Sequence, residues 1–369
     1  MMSKRRAREL GLPFPGRTGP NNAITDVAGV LVGYQTIRNE QPLSPACTGV
    51  TAILPHGRSH TPRPVWAGMY ALNGNGEMTG THWIQDGGYF TGPIMITNSH
   101  GVGMTHHAAV KWMIQQYQAV WQGHHLWAMP VVAETFDGIL NDINALHITE
   151  QDALAALNNA AAGKIAEGNV GGGTGMIAYD FKGGTGTSSR LVEVDGQTYT
   201  VAALVQANHG IRPWFNVLGA PLGKVMTEDR IHSNHEQGSI IVILATDAPM
   251  LPHQLKRMAK RAAIGIGRNG SPGGNNSGDI FLAFSTANQQ EMPQLSGPMR
   301  TMHCLNDEVF DDFYLASVEA IEESVINAMV AAEDVPTFKQ PAGQICKAID
   351  PQRLTQLVRN FHATGINLS

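Results

Sequence analysis

The run from Ser239 to Met250 constrains the fold most, because Ile240 to Leu244 at its centre are all apolar. A short apolar run rich in β-branched side chains is typical of a fully buried strand. The segment before it, residues 227–237, is polar and has no periodicity, which predicts an exposed loop. We therefore expect Gly238 and Ser239 to lie where a surface loop enters the core.

The remaining elements mix hairpins with long helices. Asp195-Gly196 separates two strand-like runs, residues 190–194 and 199–206, and predicts a hairpin. Helical spacing of apolar residues predicts helices over 105–121, 153–162, 252–264 and 313–332, with Ile114 and Leu315 facing inward and Thr149 as an N-cap. Without a regular alternation of strand and helix, the pattern favours an α+β layered fold in a single domain, residues 1–369.

Composition excludes several classes of protein. The chain of 369 residues is 43% hydrophobic and 15% charged, which indicates a globular core, and its net charge of −5 favours neither nucleic acid nor an anionic membrane surface. Its three cysteines form no C-x-x-C motif, so we expect no metal site and no disulfide framework. The G-x-G-x-x-G match at 265–270 follows a predicted helix rather than a strand, which argues against a dinucleotide cofactor. With no secretory signal or membrane-length apolar run, we expect a cytoplasmic protein.

The Gly238-Ser239 pair has two interpretations. Such a serine ordinarily does no more than begin a strand. Alternatively, its hydroxyl attacks the Gly238 carbonyl, and hydrolysis of the resulting ester leaves Ser239 as a new N-terminus with both a nucleophile and an amine base. Glycine suits the position before such a cut, because it has no side chain to block attack.

Polar residues at other strand ends are further candidates. Asn208 can donate an amide N–H to a developing oxyanion, although an ordinary turn residue is the simpler interpretation. Ser277 and Asp279 flank a glycine and can orient an amine or hydroxyl, or belong to a plain loop. Glu134 ends a strand among apolar neighbours; it can hold a substrate ammonium or pair with a lysine or arginine.

Several blocks in order along nearly the whole chain resemble the L-aminopeptidase/D-esterase family, which includes the β-peptidyl aminopeptidases. The blocks are residues 24–33, 73–80, 168–176, 182–189, 238–242, 245–249 and 277–281. The resemblance implies a four-layer α/β/β/α sandwich, similar to the N-terminal nucleophile hydrolases but with a different connectivity. It also implies self-cleavage into an α chain, residues 1–238, and a β chain, residues 239–369.

The resemblance further implies the roles of individual residues. Ser239 is then the nucleophile, Asn208 the oxyanion donor, Ser277 and Asp279 the pair that orients the nucleophile, and Glu134 the carboxylate that holds the substrate's amino group. Phe136 stands where some members have tyrosine, and Asp279 where some have glutamate. The expected substrates are small peptides, amides and esters, with neither metal nor cofactor, and the expected assembly is a homo-oligomer, often a tetramer of αβ units.

Two alternatives remain open from the sequence. One is an acyltransferase of the ornithine acetyltransferase type, which shares self-cleavage and fold but uses threonine where Ser239 stands. The other is an uncleaved, non-catalytic binding protein of the same fold. The preference between α-peptides, β-peptides, D-amides and esters depends on pocket residues from many loops.

Overall fold

The computed structural model describes residues 5–41, 43–231, 238–339 and 342–364 of the chain. Of the loop expected before Ser239, residues 232–237 lie outside the described residues. The strands are β1 Leu31–Asn39, β2 Ala46–Leu54, β3 Val65–Ala71, β4 Tyr89–Phe90, β5 Ile94–Asn98, β6 Val131–Thr135, β7 Ile177–Ala178, β8 Phe181–Lys182, β9 Gly184–Val194, β10 Gln197–Asn208, β11 Ser239–Thr246, β12 Ile280–Ser285, β13 Val335–Pro336 and β14 Ile345–Cys346. The helices are α1 Thr81–Gly87, α2 Val102–Gln116, α3 Gln118–Trp121, α4 Glu150–Asn158, α5 Pro252–Lys260, α6 Ala262–Arg268, α7 Phe310–Val330 and α8 Pro351–Thr364.

Two sheets form the centre of the molecule. One has the strand order β1-β2-β5-β6 and the other β4-β3-β12-β11-β10-β9. Apolar side chains from both sheets share one core cluster between them, while α2 and α4 cover the outer face of the first sheet and α5 and α7 that of the second. This arrangement is the four-layer α/β/β/α sandwich that the resemblance implies.

Strand β11 lies in the middle of the larger sheet. It runs antiparallel to β10 and parallel to β12, and β12 in turn runs antiparallel to β3. Ile241 and Ile243 point into the core between the sheets, whereas Ile240 and Val242 point into the core beneath the helices. The prediction of a fully buried strand is confirmed, because both faces of β11 are covered by apolar layers.

The predicted helices exist, with some differences in their bounds and faces. Thr149 caps α4 as expected, since its side chain accepts from the Asp152 N–H in a reciprocal capping box. The helix expected over 105–121 is divided between α2 and α3 at Tyr117, whose backbone leaves the helical region. Two inward-facing predictions are wrong: Ile114 is 50% exposed and Leu315 is 48% exposed.

The position of Leu315 on its helix explains the second error. It lies one turn after the exposed Asp311 and Asp312 of α7, and residues three and four apart share a face of a helix. Beyond this first turn, α7 is buried on all sides, including at Glu319 and Glu323. The apolar spacing thus predicted the helix correctly. It did not predict where along the helix every face becomes buried.

Candidate active site

The candidate site lies at one edge of the larger sheet, where β10 ends and β11 begins. Asn208, the last residue of β10, pairs directly with Ser239, the first residue of β11. Ser239 is only 7% exposed, and the Gly278 N–H donates to its Oγ at 3.0 Å. The register of β10 and β11 therefore brings a hydroxyl and an amide from distant parts of the chain to the same place.

Gly238 is pressed against the backbone of β10. A Cβ atom built on Gly238 would lie 1.7 Å from the Asn208 carbonyl oxygen and 2.8 Å from its carbonyl carbon. No side chain tolerates such distances, so glycine is required here by space rather than by backbone angle. The peptide bond before Ser239 therefore lies flush against Asn208.

The Asn208 amide has a defined orientation. Its Oδ1 accepts from the Ile177 N–H at 2.8 Å, and its Nδ2 donates to the Phe136 carbonyl at 2.9 Å. Because one partner can only donate and the other can only accept, the two ends of the amide cannot be exchanged. Nδ2 carries a second N–H, and the amide lines a cavity of about 10 Å³ together with Gly238. A cavity of that volume holds about one water molecule.

Ser277 and Asp279 are fully buried beside Ser239. The Ser277 hydroxyl donates to Asp279 Oδ1 at 2.6 Å, and the Ile240 N–H donates to the same oxygen at 3.3 Å. Among the described residues, no donor reaches the other carboxylate oxygen, Oδ2, with hydrogen-bond geometry, although the Asn73 amide lies close enough to the carboxylate to lower its pKa. Burial raises the pKa of Asp279, and its hydrogen bonds partly oppose that shift. The acid is thus fixed to the backbone of β11 directly after Ser239.

Glu134 lies on the other sheet, at the end of β6. The Ser99 hydroxyl and the Glu77 N–H donate to its two carboxylate oxygens, the latter at 2.9 Å. Burial raises the pKa of Glu134, while these hydrogen bonds lower it. In the described part of the chain it forms no ion pair with a lysine or arginine, and the charged side chain that lowers its pKa is that of His100.

Gly76 lies between Glu134 and the backbone that holds Ser239. A Cβ atom on Gly76 would lie 3.1 Å from Glu134 Oε1 and 3.4 Å from the Cα of Gly278, the residue whose N–H holds Ser239. The carboxylate and the hydroxyl thus lie on either side of one glycine-rich loop. Residues from both sheets therefore meet at a single site.

Phe136 takes part through its backbone. Its carbonyl accepts from Asn208, while its ring lies 5.1 Å from the Lys339 ammonium nitrogen. A phenyl ring has no hydroxyl, so the side chain supplies no second oxyanion donor. The sequence analysis named Phe136 but did not predict that its carbonyl would accept from Asn208. It also did not predict the N–H groups of Gly278 and Ile177 that donate to Ser239 and Asn208, because a backbone group has no side chain to identify it.

Other features of the described residues bear on function. A cavity of about 540 Å³ is lined by Arg38, Cys47 and Phe338 among others, and it contains none of the candidate site residues. The described ranges hold no group of three or more histidines, cysteines or acids placed to bind a metal ion. None of their helices combines the length and hydropathy that a membrane crossing requires.

Comparison with known proteins gives consistent matches along the chain. Residues 22–342 match the profile of peptidase family S58. The chain is 50% identical over 347 residues to a β-peptidyl aminopeptidase, BapA, of Sphingosinicella microcystinivorans, covering 89% of this chain and 86% of that one. A β-peptidyl aminopeptidase of Sphingosinicella xenopeptidilytica is 43% identical over 348 residues, covering 89% of this chain and 85% of that one.

Solved structures are similar over the whole fold. The L-aminopeptidase D-Ala-esterase/amidase of Ochrobactrum anthropi, described as a variant of the Ntn hydrolase fold, matches with a TM-score of 0.93 and 58% identity, covering 97% of this chain and 99% of that one. A β-aminopeptidase of Burkholderia sp. matches with a TM-score of 0.88 and 41% identity, covering 98% and 100%.

Proposed function

Since the chain belongs to peptidase family S58 and is a serine aminopeptidase and amidase of the N-terminal nucleophile type, we propose that it activates itself by cutting the Gly238–Ser239 bond. The Ser239 Oγ attacks the Gly238 carbonyl carbon, the C–N bond breaks, and the hydroxyl proton passes to the departing nitrogen. Water then hydrolyses the Gly238 ester. The products are an α chain, residues 1–238, and a β chain, residues 239–369, which together form one domain.

The observation that carries this proposal is the pairing of Ser239 with Asn208. The peptide bond to be cut lies flush against Asn208, whose amide is oriented by Ile177 and Phe136. In the proposed reaction, the second Nδ2 N–H of Asn208 donates to the oxyanion, both in the cut and in turnover of substrate.

Turnover uses the amine that the cut releases. An α-amino group has an ordinary pKa of about 7.7–8.0, so much of it is neutral near pH 7.5 and can accept the Ser239 hydroxyl proton. The Oγ attacks the substrate carbonyl, the protonated amine gives its proton to the leaving group, and an acyl-enzyme forms. Water attacks the acyl-enzyme, with the amine again acting as base, and regenerates Ser239.

Two acidic residues have separate proposed roles. Asp279, supported by Ser277, orients the new N-terminus, and its unpaired Oδ2 is available to accept from the Ser239 ammonium that forms during each half-reaction. Glu134 binds the substrate's own ammonium, because it is buried, hydrogen-bonded and without a lysine or arginine partner among the described residues. These roles rest on burial and hydrogen bonding.

We propose small peptides, amides and esters with a free amino group as substrates, including β-peptides. The names of the relatives, β-peptidyl aminopeptidases and an L-aminopeptidase D-Ala-esterase/amidase, support this range. These relatives are aminopeptidases, and they lend no support to the acyltransferase or non-catalytic alternatives. We further propose a cytoplasmic homo-oligomer of αβ units that binds neither nucleic acid nor membrane, in keeping with the net charge of −5.

Mass spectrometry with N-terminal sequencing of purified, active enzyme tests the proposal. We expect a fragment that begins at Ser239 and comigrates with the remainder of the chain in native conditions. Hydrolysis of amino-acid p-nitroanilides measures the proposed aminopeptidase activity. Acetyl transfer from N-acetylornithine measures the alternative acyltransferase activity. Active protein of a single, full-length mass would overturn the proposal.

A further inference from the structure

The hairpin β7–β8 contains a strained turn close to the candidate site. Its two turn residues, Tyr179 and Asp180, have φ values of +52° and +60°. Two-residue hairpin turns of this kind favour glycine or asparagine, because other side chains are strained in the left-handed region. Such strain persists only where the surrounding structure holds the backbone firmly.

Arg212 holds the turn from one side. Its Nε donates to the Tyr179 carbonyl at 2.8 Å and its Nη2 to the Asp180 carbonyl at 2.9 Å. Its own backbone N–H donates to the Asp180 carboxylate at 3.1 Å, and its guanidinium lies over the Phe181 ring at 3.3 Å. The turn is therefore fixed by a buried cation that satisfies both of its carbonyls.

Lys182 holds the other end of the hairpin. Its Nζ donates to the carbonyls of Gly173, Met176 and Gly183 at 3.3, 2.9 and 2.8 Å. An ammonium has three N–H donors, and each has one carbonyl here. Lys182 is fully buried, and among the described residues no carboxylate forms an ion pair with it.

Most of Lys182 is in its ammonium form in neutral solution, although burial and the Arg38 guanidinium both lower its pKa. Burial lowers the pKa of Lys182 to about 8. The charged or titratable groups that influence it are the Cys47 and Cys346 thiols, on β2 and β14, and Arg38 on β1. Burial raises the pKa of both thiols, so they are neutral near pH 7.

The lysine is directly linked to the orientation of Asn208. Lys182 is the strand partner of Ile177, whose N–H donates to Asn208 Oδ1. It also binds the carbonyl of Met176, the residue before Ile177, and the Gly183 N–H donates to that same carbonyl at 2.8 Å. Any shift of this segment moves the single backbone donor that determines which way the Asn208 amide points.

We infer that Lys182 is a positioning residue for the oxyanion donor: its three carbonyl contacts fix Met176 and Ile177, and Ile177 fixes the Asn208 amide. The inference rests on the role of Asn208 in the proposed function. Burying a cation without a carboxylate partner lowers the free energy of unfolding. An apolar side chain of similar length would fill the same space without that loss of stability. A lysine is present at this position because its ammonium donates to three backbone carbonyls and so holds them together.

The test compares Lys182→Met with a matched control, Arg190→Met, in the full chain. Arg190 is an equally buried cation on β9, whose guanidinium pairs with Glu319 at 3.2 Å and Glu323 at 2.8 Å of α7. Mass spectrometry measures the cleaved fraction, and thermal melting measures folding. The kinetic constants kcat and KM are measured on an amino-acid p-nitroanilide, with kcat expressed per cleaved chain.

For Lys182→Met we expect kcat to fall by about tenfold or more, since small misplacements of catalytic groups cost up to about 10² in rate. We expect KM to stay within twofold, because Glu134 is untouched. Arg190→Met is expected to melt at a lower temperature with an unchanged kcat. A kcat for folded Lys182→Met within twofold of wild type would overturn the inference.

The dependence of kcat on pH, compared between wild type and Lys182→Met, gives a second readout. With the Ser239 amine as sole determinant, kcat levels off above about pH 9. With Lys182 in the proposed role, kcat declines above about pH 8, as its ammonium loses one of three donors. Because the lowered pKa makes folding favour the neutral lysine, the contribution of Lys182 to stability rises over this range, so its own deprotonation does not unfold the protein.

Lys182→Met has no ammonium to lose, so we expect its kcat to show no such decline. A decline of the same size in Lys182→Met as in wild type would overturn the inference. The proposed function fails by a different observation, namely that active wild-type protein has a single, full-length mass. The two failures are therefore distinguishable.

Discussion

Replacing Asn208 by aspartate is the most informative perturbation of the site, because it changes one nitrogen to oxygen and leaves the shape alone. The oxygen that accepts from Ile177 is retained. The atom that replaces Nδ2 would instead lie about 2.9 Å from the Phe136 carbonyl oxygen, with two acceptors facing each other. The substitution therefore removes the proposed oxyanion donor and leaves a carbonyl without its partner.

Both losses can be given a magnitude. Removal of one oxyanion-hole donor costs about 2.7–4 kcal/mol in the transition state, so we expect Asn208→Asp to lower kcat by about 10²–10³. A carbonyl left unpaired costs about 1–3 kcal/mol, which predicts a lower melting temperature as well. Self-cleavage is expected to slow in parallel, since the proposed cut uses the same donor.

The assay first determines the cleaved fraction by gel and then measures kcat on a p-nitroanilide per cleaved chain. Asn169→Asp is a matched control, because the Asn169 amide also bridges a backbone carbonyl and a backbone N–H, both of Glu333, at 3.1 and 3.0 Å. It lies outside the candidate site, so we expect wild-type kcat. If Asn208→Asp keeps kcat within threefold of wild type, the assignment of the oxyanion donor is wrong.

Four further outcomes are expected. Ser239→Ala yields one intact chain of 39.6 kDa without activity, and two bands from this variant would place the cut elsewhere. Gly238→Ala slows cleavage strongly, because its Cβ meets the Asn208 carbonyl at 1.7 Å; cleavage at the wild-type rate would show that the segment moves freely. Glu134→Gln raises KM for substrates with a free ammonium about tenfold or more with a smaller change in kcat, as expected for loss of a buried ionic contact; an unchanged KM would exclude that contact. Acylation rises between about pH 6 and 8 as the Ser239 amine loses its proton, and a flat profile would exclude the amine as base.

The sequence predicted the elements that depend on local pattern. The buried strand β11 and the capped helix α4 follow from apolar spacing and from the Thr149 capping box. The prediction that Ile114 and Leu315 face inward was wrong. Apolar residues at helical spacing indicate one face of a helix, but they do not indicate which of its turns other elements cover. Motif resemblance named Ser239 and Asn208, and the strand register places them side by side.

Backbone groups of the site could not be predicted. The Gly278 N–H reaches Ser239 across 39 residues of sequence, and the Phe136 carbonyl reaches Asn208 across 72. Their positions depend on how loops from both sheets pack, and a backbone group carries no signature of its own. The same holds for the Ile177 N–H.

The place of β11 and β12 in the larger sheet has a consequence for how the mature enzyme recovers from denaturation. Both strands belong to the proposed β chain, yet they are flanked by β10 and β3 of the proposed α chain. Once the bond is cut, unfolding releases two separate polypeptides, neither of which holds all the strands of the larger sheet. Renaturation then becomes a bimolecular encounter whose yield depends on protein concentration, whereas the uncut Ser239→Ala chain refolds in a unimolecular reaction.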